Sequence, residues 1–245
     1  MSRYLVQASW NDVPHLTEEA KKELWDSLPP YQRDARTKGI PVLGSGAIYP
    51  VSEADLVIPD FDIPAHWPRC YGLDVGWRMT SAIWMALNRD TDTLYFYAEY
   101  YRSEAEPVIH AEAIKSRGKW IKGAIDPSAR GRGQTDGRAL FGMYSDLGLQ
   151  LTEADNSVET GIYELLTRMN TGRLKVFKSL QNWLREFRLY RRDEKGRIVK
   201  EHDHGLDACR YGHSRLREIL STQPAEKKKE SEEYGYSSYS TGWMA

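Results

Sequence analysis

From position 69 onward, apolar residues recur first with a period of two and then with a period of three to four. Those spacings turn one face of a strand or of a helix toward a core. The runs RCYGLDV (69–75), TSAIWMAL (80–87) and TLYFYAEYY (93–101) are rich in β-formers and are separated by Gly76 and by the turn chemistry of NRDTD (88–92). They predict three strands in an antiparallel meander. Strand and helix alternate after that. Pro107 opens a helix ended by Gly118, WIKGAID (120–126) is a strand, 137–147 is a helix closed by Gly148, and LQLTEA (149–154) is a strand. Asn156 or Ser157 caps a helix with Ile162, Leu165, Leu166 and Met169 on one face, and LKVF (174–177) is β-like. Leu180, Leu184 and Phe187 mark a further helix, KGR (195–197) is a turn in a basic hairpin-like stretch, and a last helix runs from about His204 to Leu220. The order predicts an α/β fold: a mixed central β-sheet with helices on both faces.

The flanks follow a different pattern. In residues 1–68, YLVQA (4–8) is a short strand candidate, and Thr17 starts a helix that stops near Pro29 and Pro30. KGIPVLGSGAIYPV (38–51) reads as loop or short strand, and DFDIPAHWP (60–68) as a linker. Residues 221–245, with EKKKESEE and YGYSSYSTGW, are poor in aliphatics and read as a flexible tail or a docking peptide.

At 245 residues, 40% hydrophobic and 28% charged, the chain is long enough for one sizeable core with an appendage. No apolar run approaches the ~20 residues that span a bilayer. The opening MSRYLVQASWND has no signal-peptide core, so no membrane association is expected. Two cysteines, Cys70 and Cys209, imply reduced packing thiols and no disulfide framework. The net charge of −1 conceals an asymmetry: residues 168–217 carry 14 Lys+Arg against 6 Asp+Glu, whereas 1–64 carry 6 against 10. A basic sector on a near-neutral chain points to a polyanionic partner.

Three acids stand where carboxylates are costly or well placed. Asp74 lies in the apolar strand ending at Gly76, Asp126 ends the strand GAID before Pro127, and Asp207 lies in HDHGLDACRY (202–211) with Asp203 one helical turn before it. Like charges at that spacing repel unless a cation lies between them. His202 and His204 raise zinc as an alternative, although alternating His and Asp is not zinc spacing. An all-oxygen set suits Mg2+ or Mn2+, and two such ions ~4 Å apart activate water and stabilise a phosphodiester's leaving oxygen. The loop SARGRGQTDGR (128–138) adds Arg130, Arg132 and Arg138 beside Asp126, and RLYRRDEKGRIVK (188–200) adds Arg191, Arg192 and Lys195, as candidate phosphate contacts. Trp10, Trp25, Trp84, Trp120 and Trp183 sit in apolar patterns and are expected in the core.

GLDVG (72–76), EYY (99–101), GAIDPSA (123–129), QTDG (134–137), ADNSVETGI (154–162) and DHGLDACRY (203–211) together resemble the C-terminal nuclease domain of the large terminase subunit of tailed bacteriophages, an RNase H-like fold. The last of these motifs is the most specific. The resemblance covers roughly 69–220 and implies an endonuclease that binds two Mg2+ or Mn2+ ions and cuts concatemeric double-stranded DNA during packaging. It implies metal roles for Asp74, Asp126 and Asp207, with Asp74 bridging, and an accessory role for Asp203. ASWNDVPHL (8–16) and GIPVLGSGAIYP (39–50) resemble the end of the terminase ATPase domain and its connection, so 1–68 is expected to be a remnant of that domain with a linker, and 69–220 the nuclease. A phosphate-cradling GxxxxGK[ST] is absent, so the chain is expected to be a fragment or split version and not a complete motor. The implied partners are the portal protein, the small terminase subunit and the ATPase domain of the same subunit, in the host cell cytoplasm; apart from the resemblance, the Tyr/Ser-rich tail is a candidate portal contact. The rival readings are another RNase H-like nuclease (a junction resolvase or transposase), an actin-like nucleotide-binding module, and a non-catalytic DNA-binding domain.

Overall fold

A computed structural model describes residues 9–28, 37, 46–130, 140–193 and 195–224. The strand expected at 4–8, most of the 38–51 stretch, Arg132, Arg138 and the tail from 225 lie outside the described residues.

The helix after Thr17 is α1 (Glu18–Ser27), with the Thr17 hydroxyl accepting from the Ala20 amide. A short helix α2 (Glu53–Leu56) leads into β1 (Val57–Ile58). The meander is β2 (Arg69–Asp74), β3 (Thr80–Asn88) and β4 (Thr93–Arg102). Then come α3 (Pro107–Lys115), β5 (Lys122–Ile125), a 3-10 turn (Pro127–Arg130), α4 (Leu140–Asp146) and β6 (Leu151–Glu153). The remaining elements are α5 (Val158–Asn170), β7 (Leu174–Phe177), α6 (Gln181–Leu189), α7 (His204–Ser214) and α8 (Leu216–Ile219). The helix expected to run unbroken to Leu220 is thus interrupted at Arg215.

The strands form one sheet in the order β1-β7-β4-β3-β2-β5-β6. β2–β3 and β3–β4 are antiparallel, and the other pairs are parallel. The mixed sheet with helices on both faces is as the hydrophobic pattern predicts. The two-residue period of the strands sorts side chains between two cores. Cys70, Ile83 and Met85 join α5, α6 and α7, while Tyr71, Leu73 and Trp84 join α3 and α4; a register shift opposite Trp84 and Met85 puts Phe96 of β4 in the first core and Ala98 in the second. Of the tryptophans expected inside, Trp84 and Trp183 are fully buried; Trp10 and Trp120 are half-buried, and Trp25 is exposed on the polar helix α1, which buries none of its residues.

The segment before β2 packs more closely than a linker. Ile48, Tyr49 and Leu56 enter the same core as α5–α7, and β1 extends the sheet beside β7. Arg188 of α6 grips Glu53 with two bonds of 2.6 and 2.7 Å, and Ile48 donates to the carbonyl of Tyr190. Residues 46–58 are therefore part of the folded body that carries the sheet.

One contact sets the depth at which α7 lies on the sheet. Gly72 of β2 faces α7, and a Cβ there would stand 1.8 Å from the carbonyl oxygen of Ala208 and 2.7 Å from the amide nitrogen of Gly212. On α7, a Cβ at Gly212 would meet the Met85 methyl at 2.0 Å. Backbone packs on backbone here, and no side chain fits between. Gly72→Ala is expected to lower stability by about 1–3 kcal/mol, the range for forced overpacking. Thermal melts should show the loss as a clear drop in Tm, and an unchanged Tm would contradict the close crossing.

Candidate active site

β2 and β5 lie parallel, with Leu73 paired to Ile125. Asp74 ends β2 and Asp126 follows β5, and the Asp126 amide donates to the Leu73 carbonyl at 3.1 Å. Paired strands are about 5 Å apart, so these two acids start from adjacent backbone positions. Asp207 comes from the first turn of α7, and Asp203 is the residue just before that helix. The Asp207 amide donates to the Asp203 carbonyl at 2.7 Å. Three distant segments thus bring their acids to one end of the sheet.

Each acid is engaged by a group of the chain itself. Asp74 Oδ2 is 2.8 Å from His204 Nδ1. Asp126 accepts from the amide and the hydroxyl of Ser128. Asp207 Oδ1 accepts from the Arg210 guanidinium at 3.0 Å, and Asp207 Oδ2 accepts from Lys200 Nζ at 3.1 Å. The same ammonium lies 3.2 Å from Asp203 Oδ2. Lys200 is the cation that lets Asp203 and Asp207 share a face.

Asp74, Asp203 and Asp207 are 9%, 7% and 8% exposed, too little for water to solvate their charge fully, so partners must supply the balance. Burial raises the pKa of Asp74 above the ordinary carboxylate value. The charges of Asp207 and Asp126 push the same way, and the bond to His204 opposes them. His204 is raised above an ordinary histidine, chiefly by its bond to Asp74 and against its own burial. Arg210, only 2% exposed, also has its guanidinium 4.6 Å from the centre of the Tyr211 ring. Among the described residues, no three His, Cys, Asp or Glu side chains converge closely enough to hold a metal ion in these rotamers.

Glu186 supports the cluster from beneath. It is fully buried on α6, and its Oε2 accepts from the amides of Gly205 and Leu206 at 2.6 and 3.3 Å, satisfying the first turn of α7. Burial raises its pKa to about 7 despite those bonds. Glu99 of β4 does the same for α6, accepting from the amides of Asn182 and Trp183.

The described candidate phosphate contacts lie on separate elements. Arg130 ends the 3-10 turn that follows Asp126. Arg191 pairs through its backbone with Ala47. Arg192 is committed to Glu159 of α5 through two bonds of 2.9 and 2.6 Å, so its guanidinium serves as a latch. Lys195 is exposed at the hairpin turn. Lys200, Arg210 and Ser128 carry no local signature that marks them as partners of the acids, and His204 stands out in the sequence only as a candidate zinc ligand. Glu186 left a trace: it is a carboxylate within the apolar stripe of Trp183, Leu184 and Phe187.

The family model described as the terminase RNaseH-like domain matches residues 71–216. The large terminase subunit of Salmonella phage P22 is 34% identical over 237 residues, covering 94% of this chain and 48% of that protein. The large terminase subunit of Enterobacteria phage LP7 is 35% identical over 226 residues, covering 89% and 48%. The chain spans about half the length of the curated relatives it matches. Among solved structures, the P22 large terminase nuclease domain is similar with a TM-score of 0.67 and 34% identity, covering 73% of this chain and 96% of that one. The large terminase nuclease of thermophilic phage G20c, solved with bound magnesium, shares the fold at 16% identity and a TM-score of 0.52, covering 70% of this chain and 98% of that one.

A pH dependence follows from Glu186. Its folded pKa is raised, so the protonated acid is the form the fold prefers. That stability is fully present below the unfolded pKa of about 4.5 and is lost as pH rises through about 7. The loss is on the order of 3 kcal/mol at most. Urea unfolding from pH 5 to pH 8 should show it in the natural protein, and Glu186→Gln should flatten the slope. An identical slope in the variant would exclude Glu186 as its source.

Proposed function

The chain belongs to the terminase RNaseH-like domain family, and from that membership we propose that it is the nuclease part of a large terminase subunit. In this reading it is a metal-dependent endonuclease that cuts concatemeric double-stranded DNA during genome packaging, with little sequence preference. The observation that carries the reading is the meeting of Asp74, Asp126 and Asp207 from β2, β5 and α7 at one end of the sheet.

The residues present fit a hard divalent cation. The donors are carboxylate oxygens, the type Mg2+ and Mn2+ favour. Burial, and after it the charges of Asp207 and Asp126, already raise the pKa of Asp74, so added positive charge is stabilising there. The Lys200 ammonium between Asp203 and Asp207 marks a position where a cation is held. Asp74, on a rigid central strand, would bridge two ions; Asp126 would hold one and Asp207 the other, with Asp203 as an accessory. When bound, such ions activate water and stabilise the leaving oxygen of a phosphodiester.

The chain's own residues set up that chemistry. His204 orients the Asp74 carboxylate through Nδ1. Arg210 fixes the Asp207 carboxylate from the buried side. Arg130, Arg132, Arg138, Arg191 and Lys195 would contact the DNA backbone, which explains weak sequence preference. Arg192, committed to Glu159, would contribute least. Residues 46–68 would tie the nuclease to a preceding ATPase domain. The portal protein and small terminase subunit complete the proposed partners, with the tail reaching the portal.

Plasmid nicking in Mn2+ tests the site. Asp74→Ala, Asp126→Ala and Asp207→Ala are each expected to lower the rate roughly 100-fold or more, with circular dichroism unchanged. EDTA should abolish cutting and added Mn2+ should restore it. Cutting that survives Asp74→Ala or chelation would overturn the metal assignment.

A further inference from the structure

The turn joining β2 to β3, residues 75–79, begins one position beyond Asp74 and places three exposed residues in a row, Gly76, Trp77 and Arg78. Trp77 is 65% exposed, while Trp84 and Trp183 are fully buried. An indole left this open is unusual, because its large apolar face gains nothing from water. It is not on a loose loop. The Trp77 carbonyl accepts from the Glu104 amide at 2.9 Å, and the Gly76 carbonyl accepts from the Thr80 hydroxyl at 3.1 Å. The turn is thus tied near its start to β3 and at its middle to the segment that follows β4, and little backbone freedom is lost when the ring meets a partner.

The surroundings specify the partner's chemistry. Arg78 follows Trp77 directly, and Arg102 of β4 is paired in register with Thr80 at the end of the same turn. An exposed planar aromatic with a cationic residue next to it in the chain suits a nucleobase on the ring and a flanking phosphate on the cation. The position sets where that base would lie. Trp77 is three residues from Asp74, at most about 11 Å along the chain, within about one or two nucleotides of a phosphate at the acids. In intact duplex the base faces are covered by their neighbours, so the ring can reach one only where the stack is opened.

We propose that Trp77 stacks on a base exposed by local opening of the DNA beside the scissile phosphate, so that the protein prefers, and cuts at, duplex that is locally unpaired. This rests on the reading of the neighbouring acids as a DNA-cutting site and adds a substrate preference to it. Trp77 is a positioning residue in this scheme.

The test uses the full chain at one fixed salt concentration, with a 30-base-pair duplex and the same duplex carrying a two-nucleotide mismatch bubble. Without divalent metal, fluorescence anisotropy should show roughly tenfold tighter binding to the bubble. Trp77→Ala should remove that preference and leave affinity for intact duplex nearly unchanged, and Trp77→Phe should keep most of it. Indole emission should fall on bubble binding, and that change should be absent from Trp77→Phe. In Mn2+, cuts should cluster at the bubble in the natural protein and scatter in Trp77→Ala. Equal affinity of the natural protein for both DNAs, or a folded Trp77→Ala that keeps the preference, would overturn the proposal. Asp74→Ala separates the two readings. Bubble preference without cutting in that variant supports both, whereas bubble preference in a natural protein that never cuts would retain the stacking and remove the nuclease assignment.

Discussion

Where α7 crosses β2, the backbone of one element rests on the backbone of the other. Gly72 leaves no room for a Cβ against the Ala208 carbonyl, and Gly212 leaves none against Met85. This close seat brings Asp207, one residue before Ala208, down to the level of Asp74, two residues beyond Gly72 on the same face of the strand. A side chain at the crossing would lift the helix, and the separation of the two acids would grow with it. The packing of α5 and α6 over α7 and the anchoring of the α7 amides by Glu186 act through the same seat.

The seat has an electrostatic consequence. Bringing Asp74, Asp126, Asp203 and Asp207 to one end of the sheet concentrates negative charge where water is scarce. The chain balances it locally with His204, Lys200 and Arg210, none of which lies further than 3.3 Å from its carboxylate. These partners differ in kind. Arg210 is buried and stacked on Tyr211, a permanent brace. Lys200 is more than half exposed and spans two carboxylates at the surface, so it is the partner whose displacement disturbs the core least. An acidic cluster braced from below and held by a flexible ammonium from above is suited to exchanging that ammonium for another cation.

Much of this was readable along the chain. The meander, the alternation of strand and helix and the two-sided core follow from hydrophobic period and turn residues, which act over a few positions. Asp74, Asp126 and Asp207 stood out as carboxylates in or beside apolar stretches. Their partners did not. Lys200 and Arg210 are two cations in a basic sector, and nothing local distinguishes them from Arg192, which turns away to Glu159. Trp77 is a tryptophan beside a strand and reads like those that are buried.

Local patterns along the chain specify which segments become strands and helices, which faces are apolar, and which acids are costly enough to require a reason. Long-range contacts specify that residues 46–58 join the folded body, that Glu186 receives the α7 amides, that Lys200 bridges Asp203 and Asp207, and that Trp77 faces outward. The difference is one of range. Propensity and periodicity are set by neighbours three or four positions away, whereas Asp74 and His204 meet across 130 positions. That meeting depends on the depth of a helix on a sheet, which two glycines set.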